Sequence, residues 1–181
     1  MRLVLETCRN CQEAKQVLLT NKIFDIIKGM HYLVGDAAGN SFIFEVNKQD
    51  EQAHIQDGNG QPQILTNNTI WNMPPVDQLA TTFDDPYNSL HRYRVLTETI
   101  DRQSRQKYSE SFMIQAAESV FPRKPSGDLG GSSMTLRPLW QVIYDMTDLS
   151  LKVRFWLKDS GIALDGLPDL ALSPWSDFQL R

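Results

Sequence analysis

The chain is 181 residues long, 41% apolar and 22% charged, enough for a sizeable core in one domain or two small ones. A net charge of −4 argues against a general nucleic-acid binder, whose footprint is a basic stripe. No apolar run approaches the length of a membrane span, and the start Met1-Arg2-Leu3-Val4-Leu5-Glu6 is too short and too soon charged for a signal peptide.

In chain order, Arg2 to Glu6 sets a short apolar run between two charges and reads as a strand. Asn10 with Glu13 makes a capping box that opens a helix through about Leu19, with Ala14, Val17 and Leu18 on one face. Residues 30–35 and 41–46 form a hairpin in which Gly39 supplies the positive φ of the turn. A second hairpin is expected from residues 52–56, the turn Asp57-Gly58-Asn59-Gly60, and residues 62–66. Residues 69–87, with Trp71, Pro74, Pro75 and Pro86, show no period and form a long connection of the kind that serves binding sites.

Asn88 or Ser89 caps a helix to about Arg102, and Ser109 or Ser111 opens another through Val120, stopped by Pro122. Arg92, Arg94, Arg102 and Arg105 cluster there, but Glu98 and Asp101 interleave with them, as on a solvated helix face. Residues 124–133 are a flexible loop. Thr135–Asp145 and Leu149–Leu157 then read as two long strands joined at Met146-Thr147-Asp148. Beyond Lys158 the tail is expected to be irregular but partly packed through Leu164, Leu167 and Trp175. Grouped strands followed by helices point to an α+β fold and not to an alternating parallel sheet.

The candidate chemistry is sparse. Cys8-Arg9-Asn10-Cys11 precedes a helix, the context of a redox CxxC, but antiparallel hairpins follow it where a βαβ unit would be needed. Two cysteines cannot make a disulfide framework for a domain this size, so a reducing, cytoplasmic setting is expected. His31, His54 and His91 lack metal-ligand spacing, and no metal or cofactor is expected. Asp36 reads as a turn residue bonding its own backbone, and Glu45 as a structural or exposed strand-end carboxylate. Asn67-Asn68-Thr69 matches a glycosylation sequon, discounted because nothing indicates secretion. Read alone, Asn67 is a turn residue after a strand. Its carboxamide is also the neutral donor that a developing oxyanion needs.

Taken together, several segments resemble the linear amide C–N hydrolases. This is the choloylglycine hydrolase and penicillin acylase group, with the acyl-coenzyme A:6-aminopenicillanic acid acyltransferases, all N-terminal-nucleophile (Ntn) hydrolases. Arg2–Glu6 with Gln12-Glu13-Ala14 is similar to the family's "RLLLE…EEA" segment, and His31–Glu45, HYLVGDAAGNSFIFE, to its hairpin. Ile64-Leu65-Thr66-Asn67-Asn68 is similar to its "VLTN", Ser89-Leu90-His91-Arg92-Tyr93 to its "SxxRY/F", and Thr135–Phe155 to its closing strand pair. The likeness runs in order over residues 2–157.

The resemblance implies a four-layer αββα sandwich of two antiparallel sheets, incomplete at the N-terminus. Residues 1–158 would be the C-terminal portion of an Ntn-hydrolase domain and 159–181 its tail. It implies acyl transfer or hydrolysis at a linear amide, acting on a small-molecule amide or acyl-coenzyme A. Asn67 falls on the asparagine of the oxyanion hole. Arg92 falls on an arginine that stabilises the site, with Arg94 the alternative two positions on. Trp71 is a candidate substrate-binding wall. The family's nucleophile, a mature N-terminal cysteine, is not matched here, because Cys8 is followed by a helix opening where a buried strand is needed. An N-terminal segment or companion subunit is therefore an expected partner, with nucleic acid and membrane spans excluded. The alternatives are a non-catalytic remnant or interaction module that keeps the fold, and a CxxC redox module.

Overall fold

The computed structural model describes residues 1–21, 30–47, 51–71, 73–79, 89–103, 108–121, 137–164 and 167–180. The expected 124–133 loop, Pro86, Asn88, Pro122 and Thr135 lie outside the described residues. Helices and antiparallel strands are both present, as an α+β fold requires. The chain divides into two compact units, Met1–Leu79 and Ala80–Arg181.

In the first unit, helix α1 (Arg2–Thr7) and helix α2 (Cys11–Thr20) precede strands β1 (His31–Gly35), β2 (Ser41–Val46) and β3 (Ala53–Asp57). The strand expected at Arg2–Glu6 is a helix. Strand geometry would set Leu3 and Leu5 on one buried face, whereas they are 48% and 82% exposed and Val4 alone is buried. Arg2 and Glu6 pair at 2.6 Å, the i,i+4 spacing that only a helix brings together. Helix α2 starts at the Asn10 cap, whose side chain accepts from the Glu13 amide at 2.9 Å, while Glu13 reaches back to the Arg9 amide at 2.8 Å.

The sheet is three-stranded, in the order β1-β2-β3, and wholly antiparallel. Register sets Tyr32 and Val34 of β1, Phe42, Phe44 and Val46 of β2, and Ile55 of β3 against Val4, Cys11, Ala14 and Leu18 of the helices. Phe42 and Phe44 are 0% and 1% exposed, so this layer is the core of the unit. The β1–β2 turn carries Gly39 at φ 82, the left-handed conformation that glycine adopts without a Cβ penalty.

The second expected hairpin is half formed. Its turn is present, with Gly60 at φ 69 and Gln61 donating to Gly58 O at 2.8 Å, but residues 62–66 make no strand. Pro62 has no amide to give a ladder, and the segment is tied to β3 by the Gln63 side chain, which donates to Gln56 O at 2.9 Å. A short 3₁₀ turn, Val76–Gln78, follows in the long connection.

In the second unit, helix α3 (Ser89–Asp101) and helix α4 (Glu110–Glu118) precede strands β4 (Trp140–Asp145) and β5 (Ser150–Ile162). Ser109 caps α4 by accepting from the Phe112 amide at 3.2 Å. Lys152 of β5 pairs with Glu110 at 2.9 Å and Arg154 pairs with Glu118, so α4 lies along that face of the sheet. The tail is not irregular. Strands β6 (Pro168–Leu172) and β7 (Ser176–Gln179) both add antiparallel to β5, which runs on through Lys158 to Ile162. Leu164, expected to pack, is fully exposed, while Trp175 lies under the Arg154 guanidinium at 4.4 Å. The short runs Pro168–Leu172 and Ser176–Gln179 carry little period of their own. What makes them strands is the long edge of β5.

Because Phe44 has no exposed surface to give back, Phe44→Ala should destabilise the first unit by about 3–5 kcal/mol. Leu5→Ala on the exposed face of α1 should change stability by less than about 0.5 kcal/mol. Urea unfolding of the full chain, followed by far-UV circular dichroism, measures both.

Candidate active site

The face of the first sheet opposite the helices carries a row of ionisable side chains. His31 of β1 stands directly opposite Glu45 of β2, and Glu45 directly opposite His54 of β3. Directly paired residues share a face, so one carboxylate lies between two imidazoles. Glu45 is only 3% exposed. Its Oε2 accepts the Ile70 amide at 2.8 Å and lies 3.8 Å from His31 Nδ1. Its Oε1 is buried and has no hydrogen-bond partner among the described residues.

Trp71 is laid against this row, its ring stacked on His54 with centroids 3.7 Å apart and planes 14° from parallel. The indole is 42% exposed, so one surface of the stack faces solvent. Asn67 sits in a bend three residues before Ile70 and is exposed, a turn position as expected, though residues 62–66 before it form no strand. Its neighbour Asn68 turns inward, and Asn68 Nδ2 is buried without a partner among the described residues. The structure thus gathers Asn67, Trp71 and the His31–Glu45–His54 row in the first unit. Arg92 belongs to α3 of the second unit, where it is half-buried and desolvation presses its guanidinium pKa downward. Arg94, the alternative, is placed beside His91, with its guanidinium 3.3 Å from Nδ1.

Of the two readings expected for Glu45, structural or exposed, the structure gives the first: it is buried and accepts the amide of a residue 25 positions later. The available signal lay in the register, since the hairpin pairing already set Glu45 opposite His31.

A second polar locus lies at the start of α2. An open cleft of about 370 Å³ is lined by Asn10, Cys11, Lys15, Asp36, Asn40 and Asp57 among others. Asp36 bonds its own turn, as expected, taking the Ala38 and Asn40 amides at 3.0 Å each. It also takes the Cys11 amide at 3.0 Å. These donors, the Cys11 amide foremost, pull its pKa down to about 2. Burial and the Asp36 charge push the Cys11 thiol the other way, to about 11. Its sulfur donates to Asn40 O at 3.2 Å. The Cys11 thiol is thus engaged by the β1–β2 turn, and neither cysteine is in a disulfide. Among the described residues, no group of three or more His, Cys, Asp or Glu is arranged to hold a metal ion, and no helix is long and apolar enough to cross a membrane.

Compared with known proteins, residues 1–127 match the family model described as acyl-coenzyme A:6-aminopenicillanic acid acyl-transferase. No curated protein and no solved structure matches the chain.

The lowered pKa of Asp36 fixes a sign. Its contribution to stability is present in full above the unfolded carboxyl pKa near ~3.9 and is lost as pH falls toward about 2. The chain should therefore lose stability between about pH 4 and pH 2. Asp36→Asn should be less stable at pH 7 and flatter across that window. Denaturant midpoints measured at intervals from pH 7 to pH 2 test this.

Proposed function

The chain belongs to the acyl-coenzyme A:6-aminopenicillanic acid acyl-transferase family, and from that premise we propose that it serves acyl transfer or hydrolysis at a linear amide C–N bond. The observation that carries this reading is the match itself. It spans residues 1–127, the range that holds the His31–Glu45 hairpin, the Asn67 bend and the arginine of α3.

In the proposed reaction a cysteine thiolate adds to the acyl carbonyl, whose π electrons move onto oxygen. Collapse of the tetrahedral species breaks the C–N bond, the amine leaves with a proton, and a thioester remains. With acyl-coenzyme A the bond broken is C–S and coenzyme A leaves as its thiol. Water or an amine then attacks the thioester, giving an acid or a new amide and restoring the thiol. Asn67 is proposed to donate its side-chain N–H to the oxyanion. Such a neutral donor contributes most where charge develops, on the order of 3 kcal/mol. Arg92 adds a fixed positive charge that keeps its proton even when half-buried. Trp71, held flat by His54, offers an apolar wall to the acyl or amine group.

Neither cysteine of the chain suits the nucleophile's role. Cys11 is buried with its thiol pushed up. Cys8 closes α1, the helix end at which the macrodipole disfavours an anion. We assign the nucleophile to an N-terminal segment or companion subunit. The fold proposed for the complete domain is the four-layer αββα sandwich, supported by the helix-on-sheet layering within each unit.

One observation favours an interaction module instead. Trp140, Tyr144, Phe155 and Phe178 share one face of the second sheet and are 61%, 60%, 49% and 52% exposed. Apolar faces of this kind mark association surfaces. Catalysis separates the two readings. With the nucleophile-bearing segment supplied, Asn67→Ala should lower kcat on a simple acyl amide by about 10²–10³-fold and leave KM little changed. An Asn67→Ala protein of undiminished kcat would remove the acyl-transfer role of this bend.

A further inference from the structure

The segment that carries Asn67 has no regular secondary structure, yet it is anchored on both sides of the bend. Before the bend, Gln63 Nε2 donates to Gln56 O of β3 at 2.9 Å. After it, the Ile70 amide donates to Glu45 Oε2 at 2.8 Å and Trp71 stacks on His54. Asn67 lies between these anchors, four residues after the first and three before the second.

Glu45 is a costly residue to place here. A buried carboxylate needs compensation for lost water, and apolar side chains often replace buried ions without loss of stability. Neighbouring β2 positions show what the sheet would accept, since Ile43 on the same face is 2% exposed. A leucine at 45 could pack against the sheet but could not accept the Ile70 amide. The charge also faces His31, 3.8 Å away, and lies opposite His54, the residue beneath Trp71. The row therefore holds the later anchor by two contacts of different kinds, a charge-assisted hydrogen bond and an aromatic stack.

We propose that Glu45 is a positioning residue: through the Ile70 amide it fixes the C-terminal side of the Asn67 bend, and so the direction in which the Asn67 carboxamide is presented. The proposal rests on the acyl-transfer reading only in giving that carboxamide its role. The tether itself is independent of catalysis. Displacements of about 1 Å at a catalytic group cost large factors in rate, so an exposed bend that supplies an oxyanion donor needs such a hold.

Amide hydrogen exchange on the full chain, resolved by NMR, tests it without any assay of activity. In Glu45→Ala the Ile70 amide should exchange at least tenfold faster, and the Asn67 side-chain NH₂ resonances should move. The Ile43 and Phe44 amides of the central strand should keep their protection. Glu45→Gln, whose amide oxygen still accepts from Ile70, should restore protection at Ile70 to within about threefold of the parent and return the Asn67 resonances. Unchanged exchange at Ile70 in Glu45→Ala would overturn the proposal, as would failure of Glu45→Gln to restore it while β2 stays protected. If Glu45→Ala unfolds the sheet, Glu45→Gln decides alone: retained protection at Ile70 supports the tether and lost protection refutes it. Full turnover in Asn67→Ala would remove the oxyanion role of the Asn67 carboxamide and leave the exchange result standing.

Discussion

The first unit depends on the Asp36 carboxylate. It accepts the amides of Ala38 and Asn40 within its own turn and the amide of Cys11 at the start of α2. The same group that shapes the hairpin turn therefore also ties the first turn of α2, capped by Asn10, to the sheet. With α2 fixed, Cys11, Ala14 and Leu18 fall over Phe42 and Phe44, and the other face of the sheet is left to the His31–Glu45–His54 row. Cys11 completes the joint by donating its thiol proton to Asn40 O, a structural duty that burial reinforces. The alternation along β2 sorts the apolar core and the polar row onto opposite faces, and the Asp36 contact holds the helix over the first of them.

Two buried carboxylates stand on the two sides of this sheet, in opposite conditions. Asp36 is saturated with donors, and its pKa falls accordingly. Glu45 has spent one oxygen on Ile70 and left the other without a partner among the described residues. A saturated carboxylate holds structure together. A half-satisfied one, with Asn68 Nδ2 also buried without a partner, marks a place where polar capacity has been kept in reserve. Such places are where sequences depart from the rules of stable packing in favour of function.

Much of this was legible in local chemistry. The Asn10–Glu13 box, the Gly39 turn and the Ser109 cap each announce an element by a short-range mechanism, and each is found where it should be. Misreadings fall where the deciding partner is remote. Leu3-Val4-Leu5 is too short to show a period, so its helix is settled by burial of Val4 alone against the core. Residues 62–66 look like a strand but are drawn across the sheet by Gln63 and Ile70. β6 and β7 exist because β5 is 13 residues long and offers them an edge. The family could be found from the order and spacing of its segments. The burial of Glu45 could not, because it needs the fold of the whole unit.

The acyl-transfer role proposed for this chain makes one chemical commitment above all, a thioester on a cysteine that the Asn67 bend would serve. Intact-protein mass spectrometry after brief mixing with an acyl-coenzyme A, with the nucleophile-bearing segment supplied, observes that species directly. The expected result is one acyl adduct on a cysteine of the supplied segment, sensitive to hydroxylamine, with Cys8 and Cys11 unmodified. No adduct with any acyl donor, or an adduct confined to Cys8 or Cys11, would contradict it.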